Sequence, residues 1–296
     1  MNKFKGTGVA LITPFRSEGE VDYSAIEKLV EFQSNNGTDY LVVQGTTGES
    51  ATLNSDEKET ILDYIIEINA AKLPIVLGVG GNNTNEVISN IDRYSDKKID
   101  GLLSVSPYYN KPTQRGVIAH FEAISKSTDI PIILYNVPGR TSSNMTSSTT
   151  LELASRCSNI VAIKEASGDL EQVMEIVLNK PSDFLVISGD DALTLPFIAA
   201  GGDGVISVVA NAFPKRFSTL VNAALSGDLE LAKLKHYELF PIIQQLFADG
   251  NPGGIKYVMK LINICQDCVR LPLVKINKTT ADKLYELVAA IDDTLV

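Results

Sequence analysis

Eight short apolar runs, each followed by a longer polar or amphipathic stretch, fill positions 8 to 209. They are Gly8–Thr13, Tyr40–Gln44, Pro74–Val79, Gly101–Ser106, Pro131–Val137, Ile160–Glu165, Phe184–Ser188 and Gly204–Val209. Val and Ile recur in them and Gly, Pro, Asn or Asp bounds them, as in strands covered on both faces. The intervening segments carry helical spacing. Ile26, Leu29, Val30 and Phe32 precede Gly37 as a stop, and the cap residues Asn54 and Ser55 open an acidic first turn. Strand and helix in alternation require parallel strands joined by crossover helices. Eight such units predict an α/β fold closed as a (β/α)8 TIM barrel. An open doubly wound sheet is the alternative, but no G-x-G-x-x-G follows the first run, where that fold would bind a dinucleotide.

After residue 226 the strand pattern stops, and "DLELAKLKHYELFPIIQQLF", "GIKYVMKLINIC" and "TTADKLYELVAAIDDTLV" read as three helices. No Pro/Gly/Ser-rich linker precedes them, and a helical segment of roughly 70 residues has little core of its own. The expected organisation is a barrel over 1–226 with a C-terminal helical extension, 227–296, packed on it.

Composition excludes several functions. No apolar run approaches the ~20 residues of a membrane span, and the N-terminal "MNKFKGTGVALITPF" reads as a first strand, without the long apolar core of a leader peptide. A net charge of −10 argues against nucleic-acid or acidic-membrane binding. Three cysteines suggest a reducing, cytoplasmic setting. Cys265 and Cys268 have C-x-x-C spacing, but no second pair completes a zinc site and no thioredoxin-like context surrounds them. They read as two thiols near a helix end. With only His120 and His236 in the chain, no histidine-based metal site is expected.

Active sites of such barrels lie at the C-terminal strand ends. There the sequence collects "QGTTGES", "GVGGNNT", "SPYYNKP", "YNVPGRT", "KEASGD", "SGDDA" and "VVANAFP". Lys164 is the only lysine inside the eight runs. It could snorkel to solvent. Tyr135, however, sits at comparable depth on the preceding run, and neighbouring strands are ~4.8 Å apart. An amine beside a phenol is suited to imine chemistry, the phenol passing protons to and from the carbinolamine oxygen. Such an amine must be neutral. A free lysine at pH 7 is neutral about once in 2,500, and desolvation in a barrel raises that fraction. Glu165, the next residue, points to the opposite face and is no internal partner. The "GTTGE" turn offers Thr46, Thr47 and backbone N–H groups to a carboxylate, or it is merely a turn needing glycine. Arg140 suits a second carboxylate, or a surface ion pair.

Taken together, "GTTGES", "SPYYNKP", "YNVPGRT", "IKEASGD" and "SGDD", in that order and with Tyr135 and Lys164 29 residues apart, resemble the pyruvate-dependent class I aldolase superfamily typified by dihydrodipicolinate synthase. The resemblance spans essentially the whole chain. It implies a lyase that condenses pyruvate with L-aspartate 4-semialdehyde on the diaminopimelate and lysine route, with Lys164 forming the imine and no metal or organic cofactor. Thr46, Tyr109 and Tyr135 become a proton relay, with Tyr109 reaching into the partner subunit's site in a tight dimer, itself paired into a tetramer. Thr47 holds the pyruvate carboxylate, Arg140 that of the aldehyde, and backbone at Gly189 and Ile206 completes the pocket. Sister activities, N-acetylneuraminate lyase and the 2-keto-3-deoxy sugar acid aldolases, are the alternative; Arg140 with Tyr108 and Tyr109 matches the synthase pattern instead. Ser50, Ala51, Asn82, Glu86 and Tyr108 match the pocket that binds L-lysine in feedback-regulated relatives. Those relatives tend to carry histidines where this chain has Ser55 and Lys58, so the resemblance implies weak or absent inhibition by L-lysine.

Overall fold

A computed structural model describes residues 2–70 and 72–291. Eight parallel strands close on themselves in chain order: β1 (Gly6–Ala10), β2 (Tyr40–Val43), β3 (Ile75–Gly78), β4 (Gly101–Val105), β5 (Ile132–Asn136), β6 (Ile160–Glu165), β7 (Leu185–Ser188) and β8 (Gly204–Ser207), with β8 pairing back onto β1. Around them lie α1 (Tyr23–Ser34), α2 (Ser55–Asn69), α3 (Thr84–Asp92), α4 (Gln114–Lys126), the single turn α5 (Pro138–Thr141), α6 (Ser147–Arg156), α7 (Leu170–Asn179), α8 (Thr194–Ala199) and α9 (Pro214–Ser226). Helices α10 (Leu229–Phe247), α11 (Gly253–Leu261) and α12 (Lys278–Ala289) follow. The barrel fold read from the sequence is therefore present. Among the described residues no helix is long and apolar enough to cross a membrane.

Strand alternation sorts the side chains into two cores. Tyr40, Val42, Val76, Leu103, Ile133, Ala162, Leu185, Ile187 and Ile206 fill the inside of the barrel. Their chain neighbours, among them Leu41, Val43, Leu77, Leu102, Leu134, Ile163, Val186 and Val205, face the helices. Gly8 makes room for the Tyr40 ring, since a Cβ there would lie 2.3 Å from it, and the Tyr40 hydroxyl donates to the Val205 carbonyl. The β5–β6 ladder contains one irregularity: Ile132 pairs with Ile160, but Ile133 pairs with Ala162, leaving Val161 as an extra residue.

Local capping explains where the helices begin. Asn54 closes a capping box with Glu57 on α2, so Ser55 is the first helical residue rather than a cap. Asp22, Thr113, Thr146, Asp169 and Asn277 accept at the starts of α1, α4, α6, α7 and α12. Helix α1 stops at Ser34, ahead of the expected Gly37. The ends of β1 and β8 also differ from the apolar runs. Leu11 and Ile12 are buried past the end of β1, where Ile12 N–H donates to Asn211 Oδ1. Val208 and Val209 leave β8 for a 3-10 turn, their N–H groups donating to Asp191 Oδ2. Leu11 N–H still donates to the Val42 carbonyl of β2, but at Ile12, Val208 and Val209 hydrophobicity reports burial and not ladder pairing.

The extension packs on α8, α9 and the turn after β8. Its Leu239, Ile242, Leu246, Val258, Met259, Leu284 and Val288 belong to the same apolar core as the outer barrel face. Positions 292–296 of the last helix read from sequence lie outside the described residues.

Two buried histidines, His120 and His236, make stability pH-dependent, and the larger shift is at His120. His120 on α4 is 5% exposed, with Nδ1 2.9 Å from Thr84 Oγ1, and burial pushes its pKa from 6.5 down to about 4. The folded imidazole is neutral where the unfolded one takes a proton. This contribution is complete above pH 6.5 and is lost as pH falls toward 4. The thermal midpoint of His120→Leu is therefore expected to fall less steeply than the parent's between pH 7 and pH 4, by a few degrees over the range. Parallel melting curves at both ends check it; equal slopes would exclude His120 as the titrating group.

Candidate active site

Lys164 is the penultimate residue of β6, and its Cα partner in the ladder is Tyr135, the penultimate residue of β5. Both point into the barrel at the same rung. Lys164 is 6% exposed, so it does not snorkel, and its Nζ lies 4.4 Å from the centre of the Tyr135 ring. Among the described residues no carboxylate lies within 4 Å of this amine; the buried lysine that does have such a partner is Lys256. Gly189 follows β7, and a Cβ there would meet the Ala166 Cβ at 2.7 Å and the Lys164 Cε at 3.1 Å. Glycine is what lets the chain pass the lysine stem at this distance. Ile206 lines the same interior.

Glu165 faces outward, as alternation requires. It is buried and accepts from Asn136 Nδ2 at 3.0 Å, Gln172 Nε2 at 2.9 Å and the Ser167 N–H at 2.7 Å. Burial pushes its carboxyl above the ordinary value, and these donors oppose the shift. Asn136 also bonds Met145 N–H and Asn144 Oδ1. This network joins β5, β6 and α7 to the far end of the loop that carries Arg140. Sequence reasoning gave Glu165 its direction but missed its partners.

The "GTTGE" segment is two 3-10 turns, Thr46–Gly48 and Ser50–Thr52, joined by Glu49 in the left-handed region (φ 52°). The N–H groups of Gly48 and Glu49 close the turn on the Gly45 and Thr46 carbonyls. Thr46 is exposed, whereas Thr47 is buried and its Oγ1 accepts from Asn251 Nδ2 at 3.0 Å. Arg140 is exposed on α5, four residues past β5. Among the described residues it lacks the ion pair that Arg156, Arg216 and Arg270 each have. Tyr109 follows β4 with φ 69° and is 89% exposed in the single chain; Tyr108 is 42% exposed. Thus Lys164, Tyr135, Thr46, Thr47, Tyr109, Arg140, Gly189 and Ile206 all stand at or just beyond the C-terminal strand ends.

The segments matched to a lysine pocket adjoin that rim. Asn82 Nδ2 donates to the Tyr108 carbonyl at 3.1 Å, and Asn110 Nδ2 donates back to the Asn82 carbonyl at 2.9 Å. Ser50 is half-buried, while Ala51 and Glu86 are exposed. Lys58 is half-buried. Burial lowers its pKa, Glu86 opposes this and Arg93 adds to it. Away from the mouth, burial pushes the Cys265 thiol up to about 12, and Cys268 is buried, which suits a packing role for both.

Sequence reasoning missed three features here: the amide cluster behind Lys164, the Asn251–Thr47 bond, and a buried ion pair between Glu49 and Lys256. No local signal marked the last, because Glu49 sits in a polar, hydroxyl-bearing turn where a glutamate is ordinary.

A buried lysine set against a tyrosine ring at the mouth of a parallel eight-stranded barrel fits a lyase of the aldolase type. Similarity to known proteins narrows that class: the chain belongs to the Dihydrodipicolinate synthetase family, whose model matches residues 3–291. The 4-hydroxy-tetrahydrodipicolinate synthase of Flavobacterium psychrophilum is 48% identical over 284 residues, covering 96% of this chain and 97% of that protein. The dihydrodipicolinate synthase structure from Aquifex aeolicus matches with a TM-score of 0.94 at 42% identity, over 97% of this chain and 98% of that one. The chloride-inhibited enzyme of Acinetobacter baumannii, complexed with pyruvate, matches with a TM-score of 0.94 at 35% identity, over 96% and 98%.

Proposed function

We propose that this chain acts as a 4-hydroxy-tetrahydrodipicolinate synthase, condensing pyruvate with L-aspartate 4-semialdehyde through an imine on Lys164. The observation that carries the reading is the shared rung of Tyr135 and Lys164 inside the barrel. The amine adds to the keto carbon of pyruvate, and water leaves to give the imine. The imine draws electrons, a methyl proton departs, and the enamine attacks the aldehyde carbon. The amino group of the second substrate then displaces Lys164 and closes the ring.

Tyr135, Thr46 and Tyr109 move the protons in this scheme. The Thr46–Thr47 turn binds the pyruvate carboxylate, Arg140 the second carboxylate, and backbone at Gly189 and Ile206 completes the pocket. The exposure of Tyr109 supports an assembly in which it serves a second subunit's site in a tight dimer, and the same reading pairs such dimers into a tetramer. The setting is the cytoplasm. Borohydride added with pyruvate should attach one reduced pyruvate to Lys164, read by mass and peptide mapping; an adduct on another lysine would sink the mechanism.

L-Lysine should inhibit weakly or not at all. Lys58 adds a positive charge near the Glu86 side of the matched pocket, where a ligand carrying two ammonium groups would sit. At effective dielectric ~20, like charges 4 Å apart repel by about 4 kcal/mol before salt and relaxation reduce it. Initial rates against L-lysine at saturating pyruvate test this, and strong inhibition in the low-millimolar range (roughly −4 kcal/mol of binding) contradicts it.

A further inference from the structure

Three contacts tie the C-terminal extension to the turn that carries Thr46 and Thr47. Glu49, inside that turn, and Lys256, on α11, are both fully buried, with Lys256 Nζ 2.5 Å from Glu49 Oε1. Nζ also donates to the Cys268 carbonyl at 2.8 Å and lies 4.1 Å from the centre of the Phe15 ring. The other Glu49 oxygen accepts from the Arg270 N–H at 3.0 Å. Five residues before Lys256, Asn251 reaches Thr47 Oγ1. The extension therefore holds the turn from both the Glu49 end and the Thr47 side.

A buried ion pair is a poor device for stability alone, since apolar residues of similar volume often serve as well or better. What such a pair can supply is geometry. Glu49 occupies the left-handed region, which a side-chain-bearing residue keeps only where its surroundings enforce it. Its own N–H closes on the Thr46 carbonyl, so its position sets the aim of the Thr46 and Thr47 peptide groups. Asn251 occupies an acceptor site of the Thr47 hydroxyl, which leaves that O–H free to donate to another acceptor.

We propose that Lys256, acting through Glu49 and together with Asn251, is a positioning residue that aims the Thr46–Thr47 turn at the carboxylate of the keto-acid substrate. The inference rests on the reading in which that turn binds pyruvate. It assigns part of the substrate pocket's geometry to the extension, outside the barrel.

The test compares parent, E49Q/K256M and Asn251→Ala for pyruvate KM, kcat, half-saturating pyruvate in borohydride trapping, and thermal midpoint. E49Q/K256M removes both charges together and so avoids an unpaired buried ion. The expected result is a folded double variant with pyruvate KM and the trapping midpoint raised about tenfold or more, a smaller fall in kcat because the same turn carries Thr46, and an unchanged KM for the aldehyde. A folded double variant with pyruvate KM within about twofold of the parent overturns the proposal, whatever its thermal midpoint, since a purely structural pair shifts stability without shifting KM. If the double variant does not fold, Asn251→Ala at its half-buried site decides: a several-fold rise in pyruvate KM with an unchanged midpoint supports the proposal, and an unchanged KM overturns it. Absence of an adduct on the parent chain refutes the functional reading; an adduct on the parent with normal pyruvate dependence in every variant refutes only the positioning role.

Discussion

Replacing Lys164 with alanine is expected to lower kcat/KM on the order of 10⁴-fold or more, the scale seen when a covalent nucleophile is removed. No second amine stands ready. Lys164 is the only lysine in the eight strands, and the other buried lysine, Lys256, is held by Glu49. The fold should survive the change. Removing the amine relieves the burial of a polar head against the Tyr135 ring, which offsets part of the cost of the cavity left by the stem. A thermal midpoint within a few degrees of the parent, together with lost turnover and lost borohydride adduct, is the expected set. Retention of even a tenth of the parent rate would mean that the reaction does not pass through this lysine.

Arg140→Ala separates the two substrates. Its guanidinium is exposed on the single turn after β5 and, among the described residues, has no carboxylate partner to lose. A charge-assisted hydrogen bond contributes roughly 1.5–3 kcal/mol, so kcat/KM for aspartate semialdehyde should fall roughly 10- to 200-fold. Pyruvate trapping should be unchanged, because that substrate's only carboxylate is assigned to the Thr46–Thr47 turn. If trapping and turnover fell in parallel, Arg140 would instead be shaping the mouth for both substrates.

Much of this was readable in the chain itself. Lys164 stood out as the one lysine in a buried strand pattern, and Tyr135 as its neighbour at equal depth; the ladder pairs them directly. The barrel was legible because the same unit repeats, so an error at one strand end does not propagate. Glu49 and Lys256 were not legible as partners. Each fits its local pattern, one as a polar residue in a turn and the other as a polar residue on an amphipathic helix, and 207 positions separate them. Asn251 was hidden in the same way. Tyr109 poses a different difficulty: its side chain is exposed in the single chain, and the role proposed for it beside a second subunit leaves no mark on the strand pattern.

The extra residue at Val161 has a consequence for where this chain can absorb a change of length. In a strand, a slip by one position turns every following side chain to the opposite face. Here the irregularity sits near the start of β6, and from Ile133–Ala162 to Asn136–Glu165 the ladder runs unbroken. A residue gained or lost at Val161 is absorbed as the bulge grows or flattens. The same change two positions later would swing the Glu165 carboxylate into the well and leave the amine among the amides of Asn136 and Gln172. In this chain, one residue gained or lost at Val161 should therefore leave the Tyr135–Lys164 rung in place, whereas the same change beyond Ala162 should break it.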